Sequence, residues 1–204
     1  MARYLSVLVL PIVVLNWLAG IVGGIWLLIV GKWALLGMGL AVIFFGHFLL
    51  SLLLMPAMLL VVPAGIAFNA NRTILGIVLS IPSILWTYAL IGVSNYLIFV
   101  YVLGHMGSTS LLPILLWAYA ASTANWTYMA AMEARGDPDT ASGVPAFGAQ
   151  VGCATMMIIV YLQDGHPDPI DLIIGLSVPL LIALLFQLTL ATLAGFESRK
   201  FGAS

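Results

Sequence analysis

The sequence predicts an all-α, polytopic integral membrane protein, a bundle of six transmembrane helices with both termini in the cytoplasm. Three observations predict it: the composition, the number of long apolar segments and the distribution of cationic residues. Of the 204 residues, 63% are hydrophobic and only 6% are charged, whereas soluble domains carry about 25% charged residues. Because so few polar groups are available to cover a water-exposed surface, we expect the lipid bilayer to be the solvent for most of the chain.

Six segments are long enough to cross a hydrocarbon core about 30 Å thick, which needs roughly 20 apolar helical residues. They are residues 5–30, 34–67, 73–102, 111–132, 144–162 and 172–194. None alternates apolar and polar residues as a membrane barrel strand does, and a helix satisfies its own backbone hydrogen bonds in lipid. The longest polar stretch, residues 133–143, leaves no room for a soluble domain. Residues 1–204 are therefore predicted to form a single transmembrane domain.

The cationic residues set the predicted orientation. In a six-span arrangement, only Lys32 falls on one side of the membrane. The other side carries Arg3, Arg72, Arg135, Arg199 and Lys200. Because cytoplasmic loops are enriched in Lys and Arg, both termini are predicted to be cytoplasmic. Compact loops and the absence of a recognisable organelle signal favour a bacterial inner (plasma) membrane.

The second segment is too long for one straight crossing. Pro56 and Pro63 interrupt its second half, and a proline removes a helical hydrogen bond and clashes with the preceding turn. We expect a helix over residues 34–55 and a kinked or broken extension to residue 67. A short re-entrant segment is the alternative.

Small residues predict where helices approach closely. Two G-x-x-x-G pairs occur, at Gly20 and Gly24 and at Gly148 and Gly152. The fourth segment is rich in small residues between positions 118 and 125 and is therefore predicted to be a central helix. Short loops predict that the first three segments pack as antiparallel neighbours. The mid-span aromatic residues Trp17, Trp86 and Tyr88 are expected to pack between helices.

Polar side chains near the middle of the spans form the candidate functional set, either as a buried cluster or as a solute path. They are Asn16, His47, Ser51, Thr87, Ser94, Asn95, Ser122 and Asn125. Asn16 is predicted to meet His47 near the bilayer centre. Burial disfavours a charged imidazole, so His47 is interpreted first as a neutral, hydrogen-bonded structural group. A proton relay, a ligand contact and a metal or haem ligand are the alternatives.

The third segment carries a stripe of hydroxyl groups at helical spacing: Ser80, Ser83, Thr87 and Ser94. Such groups bond back to their own helix or across to a neighbour, or they line a narrow polar path. The first interpretation is favoured.

No catalytic motif is present. The sequence lacks H-E-x-x-H, a P-loop and a dinucleotide fingerprint, lacks G-x-S-x-G, and places no carboxylate inside a span. We therefore predict no enzymatic activity, no catalytic residues, no cofactor and no metal. A loop with Asp164, His166 and Asp168 offers three possible cation ligands, but a solvated turn is favoured. The net charge of −1 argues against a nucleic-acid partner, since binding phosphates requires cationic side chains.

Two functions remain. The first is a non-catalytic membrane subunit or scaffold that packs against partner membrane proteins or against copies of itself. The second is a small channel or carrier for a neutral or weakly charged solute, lined by the candidate polar set. A hydrated cavity shared by those side chains would favour transport, and separate pairs in a dry core would favour the scaffold.

Overall fold

A computed structural model describes the backbone of residues 2–104, 111–136 and 143–201, and the side chains of residues 11–46, 48–101, 111–125 and 145–189. These residues are helical apart from short turns. The helices are α1 (Ala2–Ile29), α2 (Trp33–Asn69), α3 (Thr73–Gly104), α4 (Leu111–Gly136), α5 (Gly143–Gln163) and α6 (Pro169–Phe201). The predicted all-helical class is confirmed.

Five of these helices are long and apolar enough to cross a membrane. The stretches are Pro11–Ile29, Phe48–Asn69, Thr73–Tyr101, Pro145–Gln163 and Pro169–Thr189. In α4 the part with described side chains, Leu111–Asn125, is shorter than a span. The fold is thus compatible with an integral membrane protein, while the count of six spans stays a prediction.

Two turns reverse the chain through residues in the left-handed region. Gly31 (φ 72°) follows α1 and Asn71 (φ 57°) follows α2; glycine and asparagine are the residues that adopt this conformation most readily. The Arg72 amide donates to Ala67 O at 2.9 Å and the Asn71 amide to Phe68 O at 3.0 Å. This is the Schellman pattern, which satisfies the last carbonyls of a helix. It lets α3 begin directly beside α2.

Helix α4 lies at the centre of the bundle, as its small residues predicted. It packs against α1, α2, α3 and α5. Helix α3 is a second central element, in contact with α2, α4, α5 and α6. Small side chains of α4, such as Ala118 and Ala121, are almost completely buried. The α4 backbone can therefore approach several neighbours at once.

Helix α1 packs mainly against α4 and only slightly against α2, so α1 and α2 are neighbours, as expected, but α2 is not the main partner of α1. Glycine explains the choice of partner. A Cβ atom built at Gly23 would lie 2.7 Å from both Pro113 O and Trp117 N of α4, and one at Gly20 would lie 3.3 Å from the Cβ of Ala120. The glycines of α1 thus face α4. In the second predicted pair, Gly152 packs on Pro179 of α6, but Gly148 faces open space.

Helix α2 is continuous from Trp33 to Asn69, with Pro56 and Pro63 inside it. Of the two expected forms of the extension, kinked or broken, the broken form is not observed, and the kink stays a prediction. Contacts with α3 lie on both sides of Pro56 and support the helix there. Ser83 Oγ donates to Ala57 O at 2.8 Å and Trp86 Nε1 donates to Leu53 O at 2.8 Å.

The mid-span aromatic residues divide. Tyr88 is buried, as expected, but Trp17 is 70% exposed. Successive helical residues project about 100° apart, so the turn that buries Asn16 against α4 directs Trp17 outward. Trp86 is also largely exposed, although its indole nitrogen contacts α2.

Candidate functional site

A hydrogen-bonded chain of two amides joins three helices in the core. Asn95 of α3 donates from Nδ2 to Gln150 Oε1 of α5 at 2.8 Å, and Gln150 Nε2 donates to Ser122 O of α4 at 2.7 Å. Both side chains are completely buried. We call Asn95, Gln150 and the Ser122 carbonyl the amide bridge. A buried amide without partners would cost free energy in lipid, so this chain fixes the relative positions of α3, α4 and α5.

Helical periodicity places both amides in the core. On α3, Asn95 lies on one stripe with Ile91 and Phe99, both fully buried; residues four apart share a helix face. On α5, Gln150 is followed by Cys153 and Met157, which are also fully buried. The two amides are thus the polar members of two otherwise apolar stripes that face each other.

A second polar contact joins α1 to α4. Asn16 Nδ2 donates to Thr123 Oγ1 at 2.5 Å, and the Thr123 hydroxyl donates to Tyr119 O of its own helix at 2.8 Å. Asn16 and Thr123 are both buried. This contact has the same structural effect as the amide bridge, at a different helix pair.

A third group of contacts joins α4 to α2. Asn125 Nδ2 donates to Val42 O at 2.9 Å, and Trp117 Nε1 donates to Leu35 O at 3.1 Å. Two glycines of α2 make room for these side chains. A Cβ at Gly39 would overlap the Trp117 indole, and one at Gly46 would overlap the Asn125 amide.

The candidate polar set therefore divides among separate interfaces. Asn16, Asn95 and Asn125 each bond to a different neighbouring helix. The hydroxyls of Thr87, Ser94 and Ser122 donate back to carbonyls of their own helices at 3.0 Å.

In the hydroxyl stripe of α3, Ser80 bonds within α3 and Ser83 bonds across to α2. Hydroxyl groups of the stripe thus bond both within their own helix and across to a neighbouring helix, the two possibilities that the favoured interpretation includes. Ser51 lies exposed on α2. The side chain of His47 lies outside the described residues, so its predicted contact with Asn16 stays a prediction.

Several polar residues that bond between helices were not included in the candidate set, although Thr123 was recognised as lying near the middle of the fourth segment. Gln150 belongs to the amide bridge, Thr123 bonds Asn16, and Gln187 of α6 accepts from the Tyr88 hydroxyl at 2.7 Å. The signal for Gln150 and Gln187 was available, since each is the sole amide side chain within its apolar run. The sequence could not assign a partner to either glutamine, because no spacing relates it to the residue that it contacts.

Two buried polar side-chain atoms have no hydrogen-bond partner within the described parts of the chain: Asn95 Oδ1 and Trp26 Nε1. The first belongs to the amide bridge. Its Nδ2 already donates to Ile91 O at 2.9 Å and to Gln150, which leaves the carbonyl oxygen as a buried acceptor.

Metal ligands do not cluster in the residues whose side chains are described. In the loop before α6, Asp164 Oδ1 accepts a hydrogen bond from the His166 amide at 3.1 Å, and the loop is exposed. The core contacts therefore consist of neutral donors and acceptors, which can hold helices together or bind a neutral hydrogen-bonding group.

The outer surface of the bundle differs sharply from this core. Side chains on the outside are large and apolar, such as Leu15, Phe45 and Leu185, each more than half exposed. The buried polar groups are thus enclosed between helices whose other faces suit lipid. Comparison of the chain with protein-family models, curated proteins and solved structures finds no match.

Proposed function

We propose that the protein is a non-catalytic integral membrane subunit or scaffold, with six spans and both termini in the cytoplasm of a bacterial inner membrane. It packs against partner membrane proteins or against copies of itself. The observation that supports this proposal most directly is the pairing of polar side chains across helix boundaries. Three asparagines, on α1, α3 and α4, each bond a different neighbouring helix, as expected of groups that hold a bundle together.

The exposed apolar surface is available for contact with the helices of a partner. Helices in lipid associate through van der Waals packing and interhelical hydrogen bonds. Gly37 on α2 and Gly148 on α5 are exposed and have open space around the position of a Cβ, so a neighbouring helix can approach the backbone there.

The experiment is to release the protein from membranes into lipid nanodiscs and to determine its mass with and without prior crosslinking in the cell. We expect an assembly larger than one chain. A photo-crosslinking residue at exposed Gly148 should capture the neighbour, and one at Gly165, in the exposed loop, serves as the control. A single chain under both conditions contradicts the proposal.

A second candidate, a channel or carrier for a neutral solute, is supported by Asn95 Oδ1, the buried acceptor of the amide bridge. A solute with a donor group would find a partner there. Flux of small neutral solutes into protein-containing liposomes tests this candidate. Loss of flux in Asn95→Leu but not in Ser177→Ala, a change at a partly exposed serine outside the candidate polar set, would favour transport, and an absence of flux would leave the scaffold.

Orientation is tested separately. Single cysteines at Ser204 and Gly165, in a Cys153→Ala background, should react with a membrane-impermeant maleimide from opposite sides of the membrane. We expect Ser204 to react only from the cytoplasmic side. Reaction of both from one side contradicts the six-span arrangement.

A further inference from the structure

We propose that the α2–α3 hairpin is surrounded by lipid acyl chains almost to its tip, and that it therefore requires more hydrocarbon thickness than helices α1, α4 and α5. The hairpin extension is defined as residues 55–68 of α2 together with residues 74–84 of α3. This inference concerns the bilayer around the chain and does not depend on the proposed scaffold function.

The extension reaches past the ends of α1 and α4. Starting from the hydrogen bond between Asn125 and Val42, α4 continues about 16 Å to Gly136, whereas α2 continues about 40 Å to Asn69, at 1.5 Å per residue. Helix α1 starts at Ala2, 14 positions before Asn16, which is bonded to Thr123. Its first residue therefore lies near the level of Gly136.

Each helix of the extension buries one narrow stripe, and that stripe faces the other helix. On α2 the buried residues are Ala57, Ala64 and Ala67, while residues 58–63 are all exposed. On α3 the buried positions are 73, 76, 80 and 84. Small residues meet at this contact, and a Cβ at Gly76 would lie 2.7 Å from the ring of Phe68. The α2–α3 contact therefore covers only a small part of either helix.

Everything outside those stripes is apolar. Residues 55–68 contain no polar side chain, and the two hydroxyls of residues 74–84 are already bonded. Ser80 donates to Ile77 O and Ser83 to Ala57 O, at 2.7 and 2.8 Å. Leu59, Ile66 and Ile74 are each about two-thirds or more exposed. A surface that docks one protein is apolar on one side, whereas this hairpin is apolar all round.

Polar residues return only at the tip. Asn69, Asn71 and Arg72 occupy the turn between the helices and are exposed. An apolar rod with polar groups confined to its end is the distribution expected for a segment in hydrocarbon with its tip at the headgroups, where long cationic side chains reach the interface. Acyl chains, which contact every side of the rod, are thus the occupant that fits best.

The length of the hairpin has a consequence for the bilayer around it. Helix α2 is about 55 Å long and a typical hydrocarbon core is about 30 Å thick, whereas α5, with 21 residues, is about 31 Å long and matches that thickness. Tilting of the hairpin and local thickening of the bilayer are the ways in which lipid accommodates an overlong helix. The hairpin therefore presents a greater apolar length to the bilayer than α5 does.

The test uses nitroxide labels on single cysteines at Leu59, Ile66 and Ile74, in the full chain with Cys153→Ala, reconstituted in phosphatidylcholine–phosphatidylglycerol vesicles. Ile21, on the exposed face of α1, is the lipid-facing control, and Gly165 is the aqueous control. We expect the three hairpin labels to collide with oxygen as readily as the label at Ile21, and with a soluble nickel chelate far less than the label at Gly165.

Two results would overturn the proposal. A rate of collision with the nickel chelate as high as that measured at Gly165 would show that the extension lies in water. Low collision with both reagents would show that protein covers it, either a second copy or another partner. As a second measurement, shortening the acyl chains should raise nickel accessibility at Ile66 before it does so at Leu59, and equal accessibility in thick and thin bilayers contradicts the unequal length.

Discussion

The region around the amide bridge and the hairpin extension both hold helices together in lipid, but they do so through different contacts. Around Asn95 and Gln150, three helices meet through long polar side chains that bond each other and a carbonyl. In the extension, two helices meet through Ala57, Ala64 and Ala67. Amides fix a position through directional bonds, whereas small residues allow close approach at any point along the stripe. Lipid permits both, because neither leaves a polar group exposed to hydrocarbon.

The difference teaches where polar residues are needed. A pair of neighbouring helices joined by a tight turn already has its register set, by the bonds that Asn71 and Arg72 make to the end of α2. Helices α3, α4 and α5 are not held in this way, and they carry the amides. Paired amide side chains thus occur where the chain connection leaves the relative position of helices open, whereas α2 and α3 are joined only by side-chain bonds from Ser83 and Trp86 to backbone carbonyls.

The largest effect is expected from filling the space that α2 leaves for α4. In Gly39→Ala, the added methyl group would overlap the Trp117 ring, which is buried and donates to Leu35 O. We expect a loss of about 2 kcal/mol in the free energy of unfolding, typical of overpacking. The measurement is reversible unfolding in mixed micelles.

Gly37→Ala is the matched control for that substitution. Gly37 lies two residues away on the same helix and faces open space, so the alanine should be neutral or stabilise by up to about 1 kcal/mol through helix propensity. Equal losses in both variants would mean that backbone effects, and not the contact with Trp117, explain the result.

The next effect concerns the extension. Ala64 is 1% exposed against α3, so Ala64→Leu should separate the two helices and destabilise the hairpin by about 1.5 kcal/mol. Val62→Leu, on the exposed side, should change stability by less than about 0.5 kcal/mol. Hydrogen exchange of the α3 amides 73–84 would report the local loss, and protection that is unchanged in Ala64→Leu contradicts the close contact.

A smaller effect is expected at the amide bridge, where a double-mutant cycle is the right measurement. Asn95→Leu and Gln150→Leu should each cost about 1 kcal/mol, since each leaves a buried partner unpaired. The double variant should cost less than the sum of the two, with a coupling of about 0.6 kcal/mol, the average for such bonds in a membrane protein. Strict additivity would mean that the two side chains do not depend on each other.

The smallest effect is expected at the hydroxyls of α3. Ser83→Ala removes a bond to Ala57 O across the hairpin and should cost about 0.5 kcal/mol. Ser80→Ala removes only a bond to Ile77 O within its own helix and should be close to neutral, because such bonds compete with the helix itself. A larger cost for Ser80→Ala would reverse the order that the contacts predict.

The helices and their turns could be predicted because lipid imposes one backbone solution on long apolar segments. Partner choice could not be predicted in the same way. The glycines of α1 are visible in the sequence, but nothing in their spacing says that they face α4 and not α2. The short loop indicated that α2 is a neighbour of α1, which it is, but a loop restricts distance and does not determine which helix becomes the main partner.

For the candidate site, the sequence predicted which polar residues bond other helices but not which groups they bond. Mid-span position identified Asn16, Asn95 and Asn125, each of which bonds another helix. Their partners include two backbone carbonyls, Val42 O and Ile91 O, which a side-chain pattern cannot reveal. Gln150 lies three residues from the middle of α5, so the same criterion of mid-span position could have identified it.

The contact between Asn16 and Thr123 has a consequence for biosynthesis. The two residues are separated by 107 positions, so at a synthesis rate of roughly 5–20 residues per second α1 enters the bilayer roughly 5–20 s before its principal neighbour is made. Until then the amide of Asn16 must be accommodated by the insertion machinery, by water or by a chaperone. The first helix to be inserted thus waits for the fourth before it can reach its final place.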